Sequence, residues 1–261
     1  MQKTGLRHEY TPAELMVVCA AREIRDNEVV FVGMRLPLIA FALAKRTHAP
    51  NAMGLFECGL LRDTPSPELL YTMGDPPNIL EANWATRMIN VMGLLACGYA
   101  SLGFIGGAEV DRFGNVNTSY IGSRQHPVVK LPGSGGGADI ASLAGRLAVI
   151  MNHERKRLRE RVDYITSPGY GEGGDWRRRV GLPRGGPSAV ITTRAVLGFD
   201  PETGEAYLRS YHPGTSVEEV RANTGWDLRV PASVHETPPP SPEELRIIRE
   251  CDPQGFWTRG I

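Results

Sequence analysis

Apolar positions recur at helical spacing from Leu15 to Ile24, directly after Thr11-Pro12-Ala13-Glu14, a capping box with proline in the first turn. The spacing predicts a helix with one apolar face, stopped at Asp26-Asn27. Val29-Val30-Phe31-Val32 is a β-branched run closed by Gly33, the mark of a short buried strand. Leu36 to Lys45 reads as a helix and Met53 to Phe56 as the next strand, so the first third runs α-β-α-β. That order favours a parallel sheet covered by helices. Residues 62–80, rich in Asp, Pro, Ser and Gly, read as loop, and 84–98 as helix.

Leu102 to Ile105 is another short strand, entering a turn-rich segment from Gly106 to Asn117. A glycine-rich loop, Gly133 to Ala138, precedes a small helix from about Asp139. Leu147 to Met151 and Val162 to Thr166 are strand candidates flanking the charge-dense stretch His153 to Arg161. Ala189 to Thr192, Ala195 to Phe199 and Ala206 to Arg209 suit an antiparallel set, with Pro201 to Gly204 as a turn. Ser216 to Ala222 and Ser241 to Glu250 read as closing helices, and the proline-rich Pro231 to Pro240 as an extended strap. Residues 1–261 show no internal repeat and no break in composition, so one α/β domain is expected: an open, mostly parallel sheet with helices on both faces and a smaller antiparallel section.

Composition narrows the function. Basic and acidic side chains balance at 29 each, which disfavours nucleic acid and acidic membranes as partners. No stretch approaches the ~18 uninterrupted apolar residues of a membrane span. The polar residues Gln2, Lys3, Thr4, Arg7, His8 and Glu9 do not make a secretory signal. Cys19, Cys58, Cys97 and Cys251 form no C-x-x-C pair, so no metal site is expected and a reducing, cytoplasmic setting fits.

Candidate chemistry gathers at a few points. Glu57 follows an apolar strand and leads into Cys58-Gly59; ligands of open α/β sheets collect at the carboxyl ends of strands, although an ordinary loop-facing glutamate fits the same position. Gly133, Gly135, Gly136 and Gly137, interrupted only by Ser134, can aim backbone N–H groups at a phosphate or an oxyanion, or form a flexible turn. The loop lacks the spacing of a P-loop or of a dinucleotide fingerprint. Asn115 and Asn117 suit turn residues or amide donors. His153 to Arg161, and likewise Arg177 to Arg179 beside Trp176, read as a solvated or subunit-facing helix, or more sharply as a coenzyme phosphate site. His126 and His212, each before a proline, read as turn-packing residues.

Taken together the chain resembles the family I coenzyme A transferases, specifically B subunits of the glutaconate type. The resemblance is carried by Glu57-Cys58-Gly59-Leu60, by Phe104 through Asn117, by Gly133-Ser134-Gly135-Gly136, by Val162 through Gly169 and by Asn223-Thr224-Gly225, in matching order from about residue 10 to 255. It implies the CoA-transferase (NagB-like) fold, with Glu57 as nucleophile on an acyl-CoA and a glutamyl-CoA thioester as intermediate. It implies coenzyme A or acyl-CoA as substrate, no permanently bound cofactor, and an A subunit completing a heterotetramer or larger assembly. Gly133, Ser134, Gly135 and Gly136 are then the oxyanion and CoA contacts, and Cys58, Gly59, Gly106, Gly107, Asn115 and Asn117 shape the cleft. The acceptor is expected to be a carboxylic acid, with a glutaconate-like dicarboxylate favoured.

Cys58 departs from the family pattern, which often places Ser after the glutamate in the glutaconate type and Asn in the 3-oxoacid type. Other pairs on this fold hydrolyse a ring C–C bond of a CoA ester in steroid breakdown, and one decarboxylates with Cys at the glutamate position. Retention of Glu57 disfavours the decarboxylase branch and leaves the hydrolase as the alternative, with a lapsed, non-catalytic subunit as a third reading.

Overall fold

The computed structural model describes residues 10–259, so the polar N-terminal segment Gln2 to Glu9 lies outside the described residues. The chain opens with α1 (Pro12–Glu23), β1 (Val29–Phe31), α2 (Leu36–Arg46), β2 (Met53–Phe56) and β3 (Leu60–Arg62), followed by α3 (Pro76–Ile79), β4 (Trp84–Ala85), α4 (Met88–Ala96) and β5 (Leu102–Gly106). The middle holds β6 (Glu109–Asp111), β7 (Val116–Asn117), β8 (Tyr120–Gly122), β9 (Pro127–Lys130), α5 (Gly137–Leu143), β10 (Arg146–Met151), β11 (Leu158–Arg159) and α6 (Trp176–Arg179). Then come β12 (Pro187–Thr192), β13 (Ala195–Phe199), β14 (Ala206–Tyr211), α7 (Val217–Ala222), β15 (His235–Glu236) and α8 (Pro242–Cys251).

Among the described residues ten strands form one sheet in the order β15-β14-β13-β12-β10-β5-β1-β2-β3-β4. Its centre, from β12 through β10, β5 and β1 to β2, is parallel. Antiparallel β13 and β14 extend one side, and β3 and β4 the other. Alternation along β1 decides which face each side chain serves. Val30 and Val32 join α1, α2 and α8 in one core, while Phe31 joins α4 and α5 in the other. The chain leaves β1 through α2 towards β2, and leaves β5 through α5 towards β10. These connections run to opposite sides over opposite faces, so the carboxyl ends of β1 and β5 form a topological switch point.

Several sequence expectations are corrected. α1 does not present a single apolar face: Ala13 through Ala21 are all buried, because α8 covers the side that sequence periodicity assigns to solvent. Even Glu14 is buried there, accepting from Arg249 Nε at 2.9 Å. Residues 84–98 are not one helix; Trp84 and Ala85 pair with Leu61 and Leu60 before α4 begins at Met88. Val162 to Thr166 is irregular, since its backbone bonds outside a ladder: Asp163 N–H donates to Glu109 Oε2 at 3.2 Å and Thr166 N–H to the Val116 carbonyl at 2.9 Å. The local strand is instead β11, inside the charged run, parallel to β6. That run is therefore not a helix.

The loop after β3 is organised by a residue that composition alone does not mark. Arg62 is fully buried, and its guanidinium donates to the carbonyls of Thr64, Pro65, Asn78 and Leu80.

Candidate active site

Glu57 leaves the carboxyl end of β2 partly buried. The turn behind it is fixed by Gly59, whose φ of 108° is a left-handed conformation and where a Cβ would lie 2.2 Å from the Thr86 carbonyl oxygen. Thr86 N–H in turn donates to the Gly59 carbonyl at 2.8 Å, which ties the Glu57 turn to the start of α4.

The glycine loop arrives from the other side. Gly133 N–H donates to the Thr118 carbonyl at 2.8 Å, and Gly137 N–H to the Ser134 carbonyl at 2.8 Å. Between these two anchors, Gly136 N–H donates to Glu57 Oε1 at 3.1 Å. A Cβ on Gly136 would sit 3.0 Å from both Cδ and Oε2 of Glu57. Gly136 has φ −76°, open to any residue, so the approach of the carboxylate, and not backbone strain, calls for glycine there.

The other sequence candidates lie at graded distances from this contact. Cys58 is exposed, yet its Sγ donates to the Met73 carbonyl at 3.1 Å; local burial, and then the Glu57 charge, push its pKa up, against use as a thiolate. Gly106 and Gly107 line a cavity of about 330 Å³ at the switch point, with Gly33, Arg35, Asn152 and Arg157. Asn115 and Asn117 are buried behind the site, and their amides are satisfied internally. Asn115 Nδ2 donates to Asp111 Oδ2 at 3.0 Å and to the Gly171 carbonyl at 2.8 Å; Asn117 Nδ2 donates to Glu109 Oε2 and to the Tyr120 carbonyl, each at 2.7 Å. They hold the β6–β7 turn that leads to Thr118, and act on the glycine loop through it.

The charged run contributes Arg155, Lys156, Arg159 and Arg161 to an open cavity of about 1,100 Å³ with Arg112. Much of this charge is balanced in place, as by Glu109 on Arg159 and Glu154 on Lys156. Arg177 is buried and donates to the Gly169, Ala141 and Arg184 carbonyls, while Arg178 and Arg179 pair with Asp175. His153 and His212 are buried histidines bonded to threonine hydroxyls, and His126 is exposed. Among the described residues no group of His, Cys, Asp and Glu is placed to hold a metal ion, and no helix is long and apolar enough to cross a membrane.

Residues 13–223 match the family model described as coenzyme A transferase. The chain belongs to the coenzyme A transferase family. It is 37% identical over 247 residues to the B subunit of glutaconate CoA-transferase from Acidaminococcus fermentans, covering 92% of each chain. The crystal structure of that glutaconate coenzyme A-transferase superposes with a TM-score of 0.90 at 35% identity, covering 96% of this chain and 98% of the other. The B subunit of 3-oxoadipate CoA-transferase from Pseudomonas knackmussii is 38% identical over 252 residues, 96% of each chain. A more distant relative, the cholesterol ring-cleaving hydrolase IpdB subunit of Mycobacterium tuberculosis, is 28% identical over 258 residues, 96% of this chain and 98% of that one. The fold expected from sequence is thus the fold of this CoA-transferase family, and the chain is a CoA-transferase subunit.

Arg35 and Asn152 were not legible as site residues, and Arg157 was marked only as one of the basic residues of the charged run. They come together only because β1, β10 and the β10–β11 connection end at one edge of the sheet. One signal was available: Arg35 stands two residues after the glycine that closes a strand, where a ligand-facing loop begins.

Proposed function

We propose that this chain is the B subunit of a heteromeric CoA-transferase that moves CoA from an acyl-CoA to a dicarboxylic acid through a thioester on Glu57. The observation that carries this reading is the Gly136 N–H contact to Glu57 Oε1 at 3.1 Å, which fixes a strand-end carboxylate under a glycine loop. Glu57 Oε2 attacks the thioester carbonyl and CoA thiolate leaves, giving an acyl–glutamyl anhydride. The thiolate then attacks Cδ of Glu57. The negative charge of the tetrahedral intermediate develops on Oε1, beside the Gly136 N–H, before the acid departs carrying Oε2. An acceptor carboxylate then attacks Cδ and expels the thiolate, giving an acceptor–glutamyl anhydride; the thiolate attacks the acceptor carbonyl, and the Glu57 carboxylate leaves as the acceptor's CoA ester is released. One thioester replaces another, so the exchange needs no energy source.

An A subunit completes the enzyme. Supporting this, the relatives named above are B subunits, and apolar residues stand exposed where α4 begins, next to the Glu57 turn: Met88 and Ile89 on α4, with Trp84 before it. A heterotetramer or larger assembly covers them and keeps water from the anhydride. The four cysteines are free thiols, which suits a reducing cytoplasm.

The test is intact mass of the pair, co-expressed and incubated with acyl-CoA and no acceptor. A CoA-sized adduct on Glu57, removed by added carboxylate, is expected. Free CoA or a ring-opened product accumulating without an adduct would instead establish the hydrolase chemistry named for the 28% identical relative. Unchanged turnover in Glu57→Gln would make the site non-catalytic.

A further inference from the structure

The cavity at the switch point is open to a second assignment. It lies outside the carboxyl ends of β1, β5 and β10, where doubly wound sheets bind ligands. Its lining includes two guanidinium residues, Arg35 and Arg157, and no carboxylate. It also adjoins the Glu57 site. β1 and β2 are neighbouring strands, about 4.8 Å apart, and Val32 N–H donates to the Leu55 carbonyl at 2.9 Å, so the segments that carry Arg35 and Glu57 leave adjacent strand ends. Ile105, a wall of the cavity, lies 4.0 Å from where a Cβ on Gly137 would stand, next to the glycine that touches Glu57.

Arg35 is the unusual residue. Its backbone has φ 69° and ψ −119°, a conformation glycine adopts freely and an arginine does not. Such strain at a non-glycine residue is kept only where the surroundings enforce it. The Arg35 guanidinium lies 5.3 Å from the centroid of the Trp257 ring, which holds the plane in place. Among the described residues no carboxylate pairs with it, whereas Arg157 has Glu154 at 3.5 Å.

We infer that Arg35, assisted by Arg157, receives the distal carboxylate of a dicarboxylic acyl group or acceptor whose other carboxyl reacts at Glu57. The assignment rests on the transferase reading above and names its specificity residue. The arginine is retained at a position that favours glycine because its side chain recognises substrate, at a cost in stability.

The experiment measures binding apart from turnover. Glutarate and pentanoate, alike in chain length and differing by one carboxylate, are titrated calorimetrically into the co-expressed pair. The wild type is expected to bind glutarate more tightly than pentanoate, and Arg35→Gly to weaken glutarate by about 10- to 100-fold with pentanoate unchanged. Thermal unfolding of Arg35→Gly should move upward, which loss of a merely structural residue would not produce. Arg35→Gln, which keeps the strain and the length, should lose glutarate binding without the thermal gain. Equal binding of the two acids by the wild type, or an Arg35→Gly variant that binds glutarate as the wild type does, overturns the assignment. Failure of the transferase reading appears separately, as absence of the Glu57 adduct with glutarate binding intact.

Discussion

Gly136 and Glu57 are 79 positions apart in sequence, yet the amide of one donates to the carboxylate of the other at 3.1 Å. The contact joins the end of β2 to the loop before α5, elements served by different parts of the chain, and it exists only because Gly136 has no Cβ to hold the carboxylate away.

Gly136→Ala tests this directly. Its φ of −76° suits alanine, so the fold and the melting temperature should be nearly unchanged. The new methyl meets Glu57 at 3.0 Å and displaces the carboxylate from its donor. Turnover of the assembled enzyme should fall by about 10²–10³, the usual effect of losing one oxyanion donor. Steady-state kinetics with circular dichroism as a folding control checks it; full activity would show that the amide contributes nothing to the reaction.

Arg62 stabilises the segment from Thr64 to Leu80 by donating to several of its carbonyls from a fully buried position. Arg62→Met keeps much of the volume and leaves those acceptors without their donor. Destabilisation of about 3 kcal/mol is expected from the loss of a buried polar network, read as a lower denaturation midpoint. Limited proteolysis should cut first between Thr64 and Leu80. Because the Cys58 thiol bonds to Met73 in the same segment, alkylation of Cys58 should accelerate in the variant.

Acid stability follows from two histidines. Burial holds His153 and His212 at a pKa of about 4, against 6.5 for the free side chain. The unfolded chain binds more protons between these values, so their contribution to stability is complete above about pH 6.5 and declines as pH falls towards 4. Each accounts for on the order of 3 kcal/mol across that window. Melting temperature should therefore drop steeply from pH 6.5 to 4.5 in wild type and less steeply in His212→Asn. Parallel pH profiles for the two proteins would refute it.

Much of the frame was legible in local sequence, for local reasons. β1, β2 and β5 announce themselves as short apolar runs closed by glycine or by a polar turn, and the capping box of α1 fixes its first turn. Glu57 and the glycine loop were each visible as candidates, because a carboxylate after a buried strand and consecutive glycines before a helix are signals within a few residues.

Tertiary structure decided what those signals mean together. The burial of α1 on all sides depends on α8, at the far end of the chain, which no window of local periodicity reports. Asn115 and Asn117 look alike as turn residues and ligand donors until Asp111, Gly171, Glu109 and Tyr120 are seen to satisfy their amides. The meeting of Arg35, Asn152 and Arg157 at one cavity is set by the order in which parallel strands are laid side by side. Hydrophobic periodicity specifies which face of a strand is buried but not which strand is its neighbour. Local chemistry therefore determined the central strands, the capped helices and the nucleophile candidate, and the pairing of distant strands determined where they meet.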